Sequence, residues 1–157
     1  MSIRSFLIIF AMSSLLHSEE SFGIVVHGGA GVMSGLSEER QQEIHKKIQE
    51  TVSEAYDILE KGGSSLDAVE LAVSMLEDSP LFNAGRGSVY NSDEVQEMDA
   101  SIMDGKNRLS GAVASVTSVK NPIKLARKVA EETKHVLLMG DGAETVSYTH
   151  LTLPTIE

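Results

Sequence analysis

Ile44, Ile48, Val52, Ala55 and Leu59 recur at three- and four-residue intervals, the stripe of an amphipathic helix. Ser37 stands where an N-cap belongs, and Glu38 and Glu39 fall in the first turn, where the helix dipole favours negative charge. Gly62-Gly63 predicts the stop. A second helix opens at Ser64, with Asp67 three residues on as in a capping box. Its apolar face is Val69, Ala72, Val73 and Leu76, and Pro80 lies past its end. The period then changes to two: Met98, Ala100 and Ile102 alternate with Asp99, Ser101 and Met103. With a turn at Asp104–Asn107 and a second run over Leu109–Val119, this predicts a β-hairpin. Pro122 suits the first turn of a third helix, which Ile123, Ala126, Val129 and Ala130 carry to about Lys134. His135–Met139 reads as a short strand. Ahead of all these, the β-branched run Gly23–His27 predicts a buried strand, and the glycine-rich stretch to Gly35 a loop.

The resulting order, β–α–α–β–β–α–β, predicts layered α/β packing around a mixed sheet in one domain or part of one. Only 4 % of the residues are aromatic and none is Trp, so the core is expected to close by backbone approach between layers rather than by bulky side chains. Both ends invite a separate reading. Arg4, the apolar run Phe6–Leu16 and polar Ser18, Glu19 and Glu20 have the layout of a secretory signal peptide over residues 1–18. The alternatives are a buried N-terminal segment and a misplaced start. With a signal the protein belongs to the secretory pathway, extracellular or lysosomal; without one, to the cytoplasm. In neither case is a membrane expected to hold the mature form. At the other end, Ser147–Thr155 continues no helical pattern and resembles translated sequencing-adaptor read-through. Residues 144–157 are therefore expected not to be native, the alternative being a true C-terminal strand.

Charge and residue types narrow the chemistry. The net charge is -10, with 13 basic residues outnumbered by 23 acidic ones and scattered among them, which excludes a nucleic-acid partner that depends on clustered Lys and Arg. No cysteine is present, which excludes disulfides, thiolate zinc and a Cys nucleophile. His27, His45, His135 and His150 show no metal-ligand spacing.

Three segments remain as candidate chemistry. His27-Gly28-Gly29-Ala30-Gly31 follows a predicted strand and exposes backbone N–H groups that can hold an anion or oxyanion. Its spacing is wrong for a dinucleotide fingerprint, and the G-x-S-x-G that an α/β-hydrolase requires is nowhere in the chain. A tight turn beside a close-packed helix explains the same residues. In Phe82-Asn83-Ala84-Gly85-Arg86-Gly87-Ser88, Asn83 offers an amide that can fix a nucleophile or a polarised carbonyl, or can build an ordinary turn. Asp99 and Asp104 are both carboxylates, but an odd separation along a strand sends them to opposite faces, and Asp104 reads better as a turn residue.

Taken together, five blocks resemble the plant-type asparaginases and isoaspartyl peptidases, whose more distant relatives are the glycosylasparaginases. They are Val25–Gly31, Gly62–Glu70, Leu76–Ser88, Glu97–Gly105 and Asn121–Arg127, in the family's order and spacing. The resemblance implies a four-layer αββα sandwich of the Ntn-hydrolase kind, of which this chain would be the N-terminal half: residues 19–143 as α-subunit part of the domain. It implies a precursor that cuts itself before a Thr, whose hydroxyl then attacks the side-chain amide of L-asparagine or the isopeptide bond of β-aspartyl peptides, its own amine serving as base. The nucleophile Thr is expected to be absent from this chain, because no Gly-Thr dipeptide occurs in it; Thr145 in Glu144-Thr145-Val146-Ser147 is only a distant echo. Asn83 matches a supporting Asn beside the nucleophile, and His27, Gly28, Gly29, Ala30 and Gly31 an active-site loop. The loop around Pro80 resembles one that holds sodium by main-chain carbonyls, here those of Leu76, Glu77, Ser79, Phe82, Ala84 and Arg86. No organic cofactor is implied. Partners implied are asparagine or isoaspartyl dipeptides, a β subunit and a dimer of αβ units. The alternatives are a glycosylasparaginase-like amidase or a catalytically dead binding or dimerising fragment.

Overall fold

The computed structural model of the chain describes residues 21–150 apart from Val32. The expected signal peptide and the end of the anomalous tail lie outside the described residues. After a short 3-10 turn at Met33–Gly35, the elements are helices α1 (Glu38–Glu60) and α2 (Ser65–Glu77), strands β1 (Met98–Asp104) and β2 (Leu109–Val116), helix α3 (Pro122–Glu132), strand β3 (Leu137–Met139) and helix α4 (Gly140–His150). The architecture is mixed α/β. β1 and β2 are antiparallel, β2 and β3 parallel, in the order β1-β2-β3, so α3 is the crossover that a parallel pair needs.

The first two helices start where their cap residues predict. The Ser37 hydroxyl accepts the Arg40 N–H at 3.2 Å, and the Ser64 hydroxyl accepts that of Asp67 at 3.1 Å while donating to the Asp67 carboxylate at 2.6 Å. Arg127 of α3 then binds Asp67 at 2.7 Å and Glu70 at 3.0 Å, tying α2 to α3, and Glu131 of its own helix at 2.7 Å.

The main core lies between α3 and the sheet. Met98 and Ile102 of β1, Val113 and Val116 of β2, and Ile123, Leu125, Ala126 and Val129 of α3 are buried together. Side chains as completely covered as Ile123 and Leu125 contribute about 1.5–3 kcal/mol each. The small-residue expectation holds at the crossing of β2 and α3: a Cβ on Gly111 would collide with the Ala126 carbonyl oxygen and come within 2.5 Å of the Ala130 amide nitrogen. A second cluster, Ala55, Ala68 and Ala72, joins α1 to α2 and receives Ile24 and Val26.

The hairpin carries an irregularity that the sequence does not announce. Met98 pairs with Val116 but Ala100 with Val113, so β2 has one residue more than β1. Ser115 takes a φ of 52° there, and its N–H is accepted by the Asp99 carboxylate at 2.8 Å. Asp99 therefore braces a β-bulge. Asp104 accepts the Lys106 N–H at 2.9 Å and the Asn107 amide at 2.8 Å, the turn role expected of it.

Two expectations are corrected. Gly23–His27 is not a strand: Ile24 and Val26 turn inward and Val25 is 96 % exposed, but no neighbouring strand among the described residues pairs with it. A β-branched run favours an extended segment; a strand also needs a hydrogen-bonding neighbour. The segment expected to continue no helical pattern, Ser147–Thr155, is helical as far as it is described. α4 runs to His150, with Ala143 and Ser147 buried and Val146 packed on the core. The Glu144 carboxylate explains why a segment of weak periodicity stays docked. It accepts the Thr117 N–H at 2.7 Å, the Ser118 N–H at 3.0 Å and the Thr117 hydroxyl at 3.0 Å, satisfying the backbone that leaves β2. Smaller differences concern ends: β2 stops at Val116, α3 at Glu132, and β3 begins at Leu137.

Two outcomes test this packing. Gly111→Ala should destabilise the protein by roughly 3 kcal/mol in denaturant unfolding, because the strand and helix backbones have no room to part; an unchanged midpoint would contradict the close approach. Burial raises the Glu144 carboxyl, but the Thr117 and Ser118 donors outweigh it and hold the group below its ordinary 4.5. Its contribution is therefore present above that value and lost as pH falls through the folded pKa. Glu144→Gln should melt below the unsubstituted protein at pH 7, with the gap closing toward pH 3; a gap independent of pH would show that the charge contributes nothing.

Candidate functional site

Two loops singled out by their residues meet in the structure. The first is His27–Gly31. The His27 Nδ1 accepts the Gly29 N–H at 3.0 Å, folding the loop back on itself, and Gly29 adopts a φ of +105°, open to glycine. The second runs from the end of α2 through a 3-10 turn at Gly85–Gly87. They touch at Gly28: a Cβ there would lie 3.0 Å from the Phe82 ring and 3.0 Å from the Ile48 side chain of α1. Phe82 is buried, and its neighbour Asn83 is exposed. A glycine at 28 thus lets the first loop lie against the residue that precedes Asn83.

Asn83 itself is held. Its Oδ1 accepts the Val89 N–H at 3.0 Å. That leaves one Oδ1 lone pair and the whole NH2 group to a ligand. The loop behind it is closed by backbone bonds from Gly87 to Ala84 at 3.0 Å and from Ser88 to Gly85 at 3.1 Å. The Gln96 amide donates to the Ser88 carbonyl at 2.5 Å, and Tyr90 and Gln96 form a bridge that carries the chain on toward β1.

The carbonyls expected to hold sodium can be tested against this loop. A Cβ on Gly87 would collide with the Phe82 carbonyl oxygen and lie 3.1 Å from that of Ser79; one on Gly85 would lie 2.5 Å from that of Glu77. Carbonyl oxygens of Glu77, Ser79 and Phe82 therefore crowd the two glycines. The Leu76 and Ala84 carbonyls each already accept a backbone N–H, from Ser79 at 3.1 Å and Gly87 at 3.0 Å, leaving one lone pair apiece. Arg86 is exposed. Among the described residues no group of His, Cys, Asp and Glu side chains is arranged to hold a metal. An ion held by these carbonyls would meet neutral main-chain oxygens, the donors that suit a hard ion of low charge.

Beneath the loop lies a polar cluster. Glu77, the last residue of α2, is buried, and its Oε1 accepts the Ile123 N–H at 3.0 Å. Its Oε2 is buried without a hydrogen-bond partner. Burial pushes the carboxyl up to about 7, against the Ile123 N–H and the Asn121 amide, which favour the ionised form. Asp78 next to it takes the Asn121 amide and the Lys120 ammonium, each at 3.0 Å. Burial raises Asp78, but those two partners outweigh it and leave its carboxyl below the usual range.

The chain's other candidates are elsewhere. Asp99 and Asp104 serve the hairpin, one at its bulge and one at its turn. Thr145 lies inside α4, where its hydroxyl donates to the Asp141 carbonyl at 2.8 Å, an ordinary helical contact. Sequence reasoning missed the Glu77 carboxylate, which it had marked only for its carbonyl. No signal in the sequence marked it: that the Asn121 side chain makes no cap bond, so that the helix draws an acceptor from another element, is visible only in the structure.

Among the described residues no helix is long and apolar enough to cross a membrane. Comparison with known proteins identifies the family. The chain matches the family profile described as asparaginase over residues 20–154. It is 52 % identical to an isoaspartyl peptidase/L-asparaginase of Rattus norvegicus over 79 % of this chain and 37 % of that protein. It is 56 % identical to a plant-type L-asparaginase of Pyrococcus furiosus, over 76 % of this chain and 38 % of that protein. The match to an isoaspartyl peptidase/L-asparaginase of Xenopus laevis is 52 % over the same shares, 76 % and 38 %. The chain thus spans less than two-fifths of the length of these relatives. Two loops joined at Gly28 and Phe82, and a profile that covers most of the chain, carry one conclusion: the chain belongs to the asparaginase family of amidohydrolases.

Proposed function

We propose that the intact protein hydrolyses the side-chain amide of L-asparagine and the isopeptide bond of β-aspartyl dipeptides, by a threonine nucleophile that autocleavage frees and that is not among the residues of this chain. The observation that carries this reading is the seating of Asn83. Its amide is pinned by the Val89 N–H, on a loop locked to the His27–Gly31 turn through Phe82. A pre-oriented amide NH2 at the surface of a rigid loop can hold a developing oxyanion or fix a hydroxyl, and it costs no reorganisation when the reaction begins. The α-amine of the freed threonine then takes the hydroxyl proton and passes it to the amide nitrogen, whose C–N bond breaks as the acyl-enzyme forms; ammonia leaves from asparagine, or the second amino acid from a β-aspartyl dipeptide, and water then cleaves the ester to release aspartate and restore the threonine hydroxyl.

The exposed face of the sheet supports a four-layer αββα architecture with this chain supplying its N-terminal half. α3 covers one face of the sheet. The other presents Ser101, Met103, Ala112, Ala114, Leu137 and Met139, with Met103, Leu137 and Met139 more than half exposed. An exposed, largely apolar sheet face of that kind suits a second sheet packed on it. Ile24–Val26, extended and without a ladder neighbour, suits a strand of that second sheet, and a β subunit would supply the rest. A dimer of αβ units extends the same reading. Sodium, held by the carbonyls of Leu76, Glu77, Ser79, Phe82, Ala84 and Arg86, would stiffen the Asn83 loop. A signal peptide over residues 1–18 would place the enzyme in the secretory pathway.

Purified protein that includes the remainder of the precursor should release aspartate from both L-asparagine and β-aspartyl dipeptides. Asn83→Ala should lower kcat by about 10²-fold with the fold intact; activity toward glycosylated asparagine alone would favour a glycosylasparaginase-like amidase instead, and no activity toward any of the three would reject the assignment. Replacing sodium by choline in the buffer should lower the melting temperature and restore it on return of sodium, whereas a melting curve blind to the ion would remove the metal. Residues 21–150 expressed alone should be poorly soluble and inactive, since the bare face exposes apolar surface and sheet edges. A well-behaved soluble monomer would contradict the half-sandwich.

A further inference from the structure

We propose that Glu77 is a positioning residue: its buried carboxylate clamps the root of the Asn83 loop to the first turn of α3 and thereby sets where Asn83 stands. The proposal rests on the reading of Asn83 as an active-site group.

The first turn of a helix has N–H groups with no partner inside it, and α3 meets this need in an unusual way. Pro122 has no N–H to satisfy, and the Asn121 side chain, which would ordinarily cap, points to Asp78 instead. The Ile123 N–H is met by the Glu77 Oε1 at 3.0 Å, across 46 residues of sequence. The same residue supports the loop with its backbone. A Cβ on Gly85 would approach the Glu77 carbonyl oxygen to 2.5 Å, its Cβ to 2.6 Å and its Cα to 2.8 Å, so the loop's 3-10 turn rests on Glu77. Gly85 is two residues from Asn83, and the segment between is tied by the Ala84–Gly87 and Asn83–Val89 bonds. Side chain to helix and main chain to loop make Glu77 the joint between them. Asp78 doubles it through Asn121 and Lys120.

The cost of this arrangement is visible. The Glu77 Oε2 is buried without a partner, and an unsatisfied polar atom in a core is unfavourable. An apolar residue would fill the same space without that penalty. What it cannot do is accept the Ile123 N–H, and that acceptance is the function the residue keeps.

Amide hydrogen exchange in the protein with its full precursor chain tests the clamp, and does so whether or not the enzyme turns over. Glu77→Ala should speed exchange at Gly87, Ser88 and Val89 by at least about tenfold while the amides of α1 keep their rates. Glu77→Gln, which retains an oxygen acceptor, should restore slow exchange. In kinetics, Glu77→Ala should lower kcat by roughly 10–100-fold, as misplacement of a catalytic support does, with KM little changed. Ile58→Ala, near the C-terminal end of α1, serves as the merely destabilising control and should move neither loop exchange nor kcat per folded molecule. Unchanged exchange at the three amides in Glu77→Ala, or equal acceleration in Ile58→Ala, overturns the proposal. If Glu77→Ala does not fold, Asn121→Ala decides: removal of the second tie should accelerate the same amides to a smaller degree, and no acceleration overturns it. An unsubstituted enzyme without amidase activity would reject the proposed reaction, while the exchange data would still decide the clamp.

Discussion

Close approach of one backbone to another is the constraint on which this structure depends. A chain with 4 % aromatic residues has few large side chains with which to fill space between layers, so the layers themselves must come together. At Gly111 the strand β2 lies directly on the carbonyl of Ala126 and the amide of Ala130. At Gly85 and Gly87 the loop lies on Glu77, Ser79 and Phe82, and at Gly28 the first loop lies on the Phe82 ring. Each contact excludes even a methyl group or leaves it little room. Interiors packed at such density transmit displacement rather than absorb it. That is why a loop can hold one amide in a defined place without a large core of its own.

Polar groups fasten what the glycines bring together. Three carboxylates accept backbone N–H groups far from themselves in sequence: Asp99 at Ser115, Glu77 at Ile123 and Glu144 at Thr117 and Ser118. Each meets backbone that the regular elements leave unpaired: a bulge, the start of a helix, the end of a strand. At Glu144, whose carboxyl is held below its ordinary value, the bond is charge-assisted and stronger than a neutral one. The three convert an acidic chain's surplus of Asp and Glu into links between elements. The consequence for function is local: the loop that carries Asn83 is fastened from below by Glu77 and Asp78 and from the side by Phe82.

How much of this was legible in the residues follows from what each feature depends on. Both N-caps, the hairpin and its turn, and the stripe of α1 depend on neighbours within a few positions, and the pattern shows them. Strand β3 was legible from its apolar run and the third helix from Pro122; that the helix crosses over to a parallel strand was not. The failures are cases in which the deciding partner is distant. Gly23–His27 has the β-branched run of a strand but nothing among the described residues to pair with, and no local pattern reports that. The helix after Gly140 has weak periodicity and is docked by Glu144 on residues 26 and 27 positions earlier. The bulge at Ser115 and the Glu77–Ile123 bond likewise join residues that the sequence separates. The two candidate loops were recognisable singly; that they meet at Gly28 and Phe82 was not, because nothing in either segment names the other.

These loops, on the reading proposed above, exist to serve a threonine freed by self-cleavage. Intact-mass measurement of the purified, full-length product, followed by N-terminal sequencing, tests that claim most directly. Two chains are predicted, the first containing residues 21–150 and the second beginning with Thr at a former Gly-Thr bond. A single uncleaved chain that nevertheless releases aspartate from asparagine would contradict it.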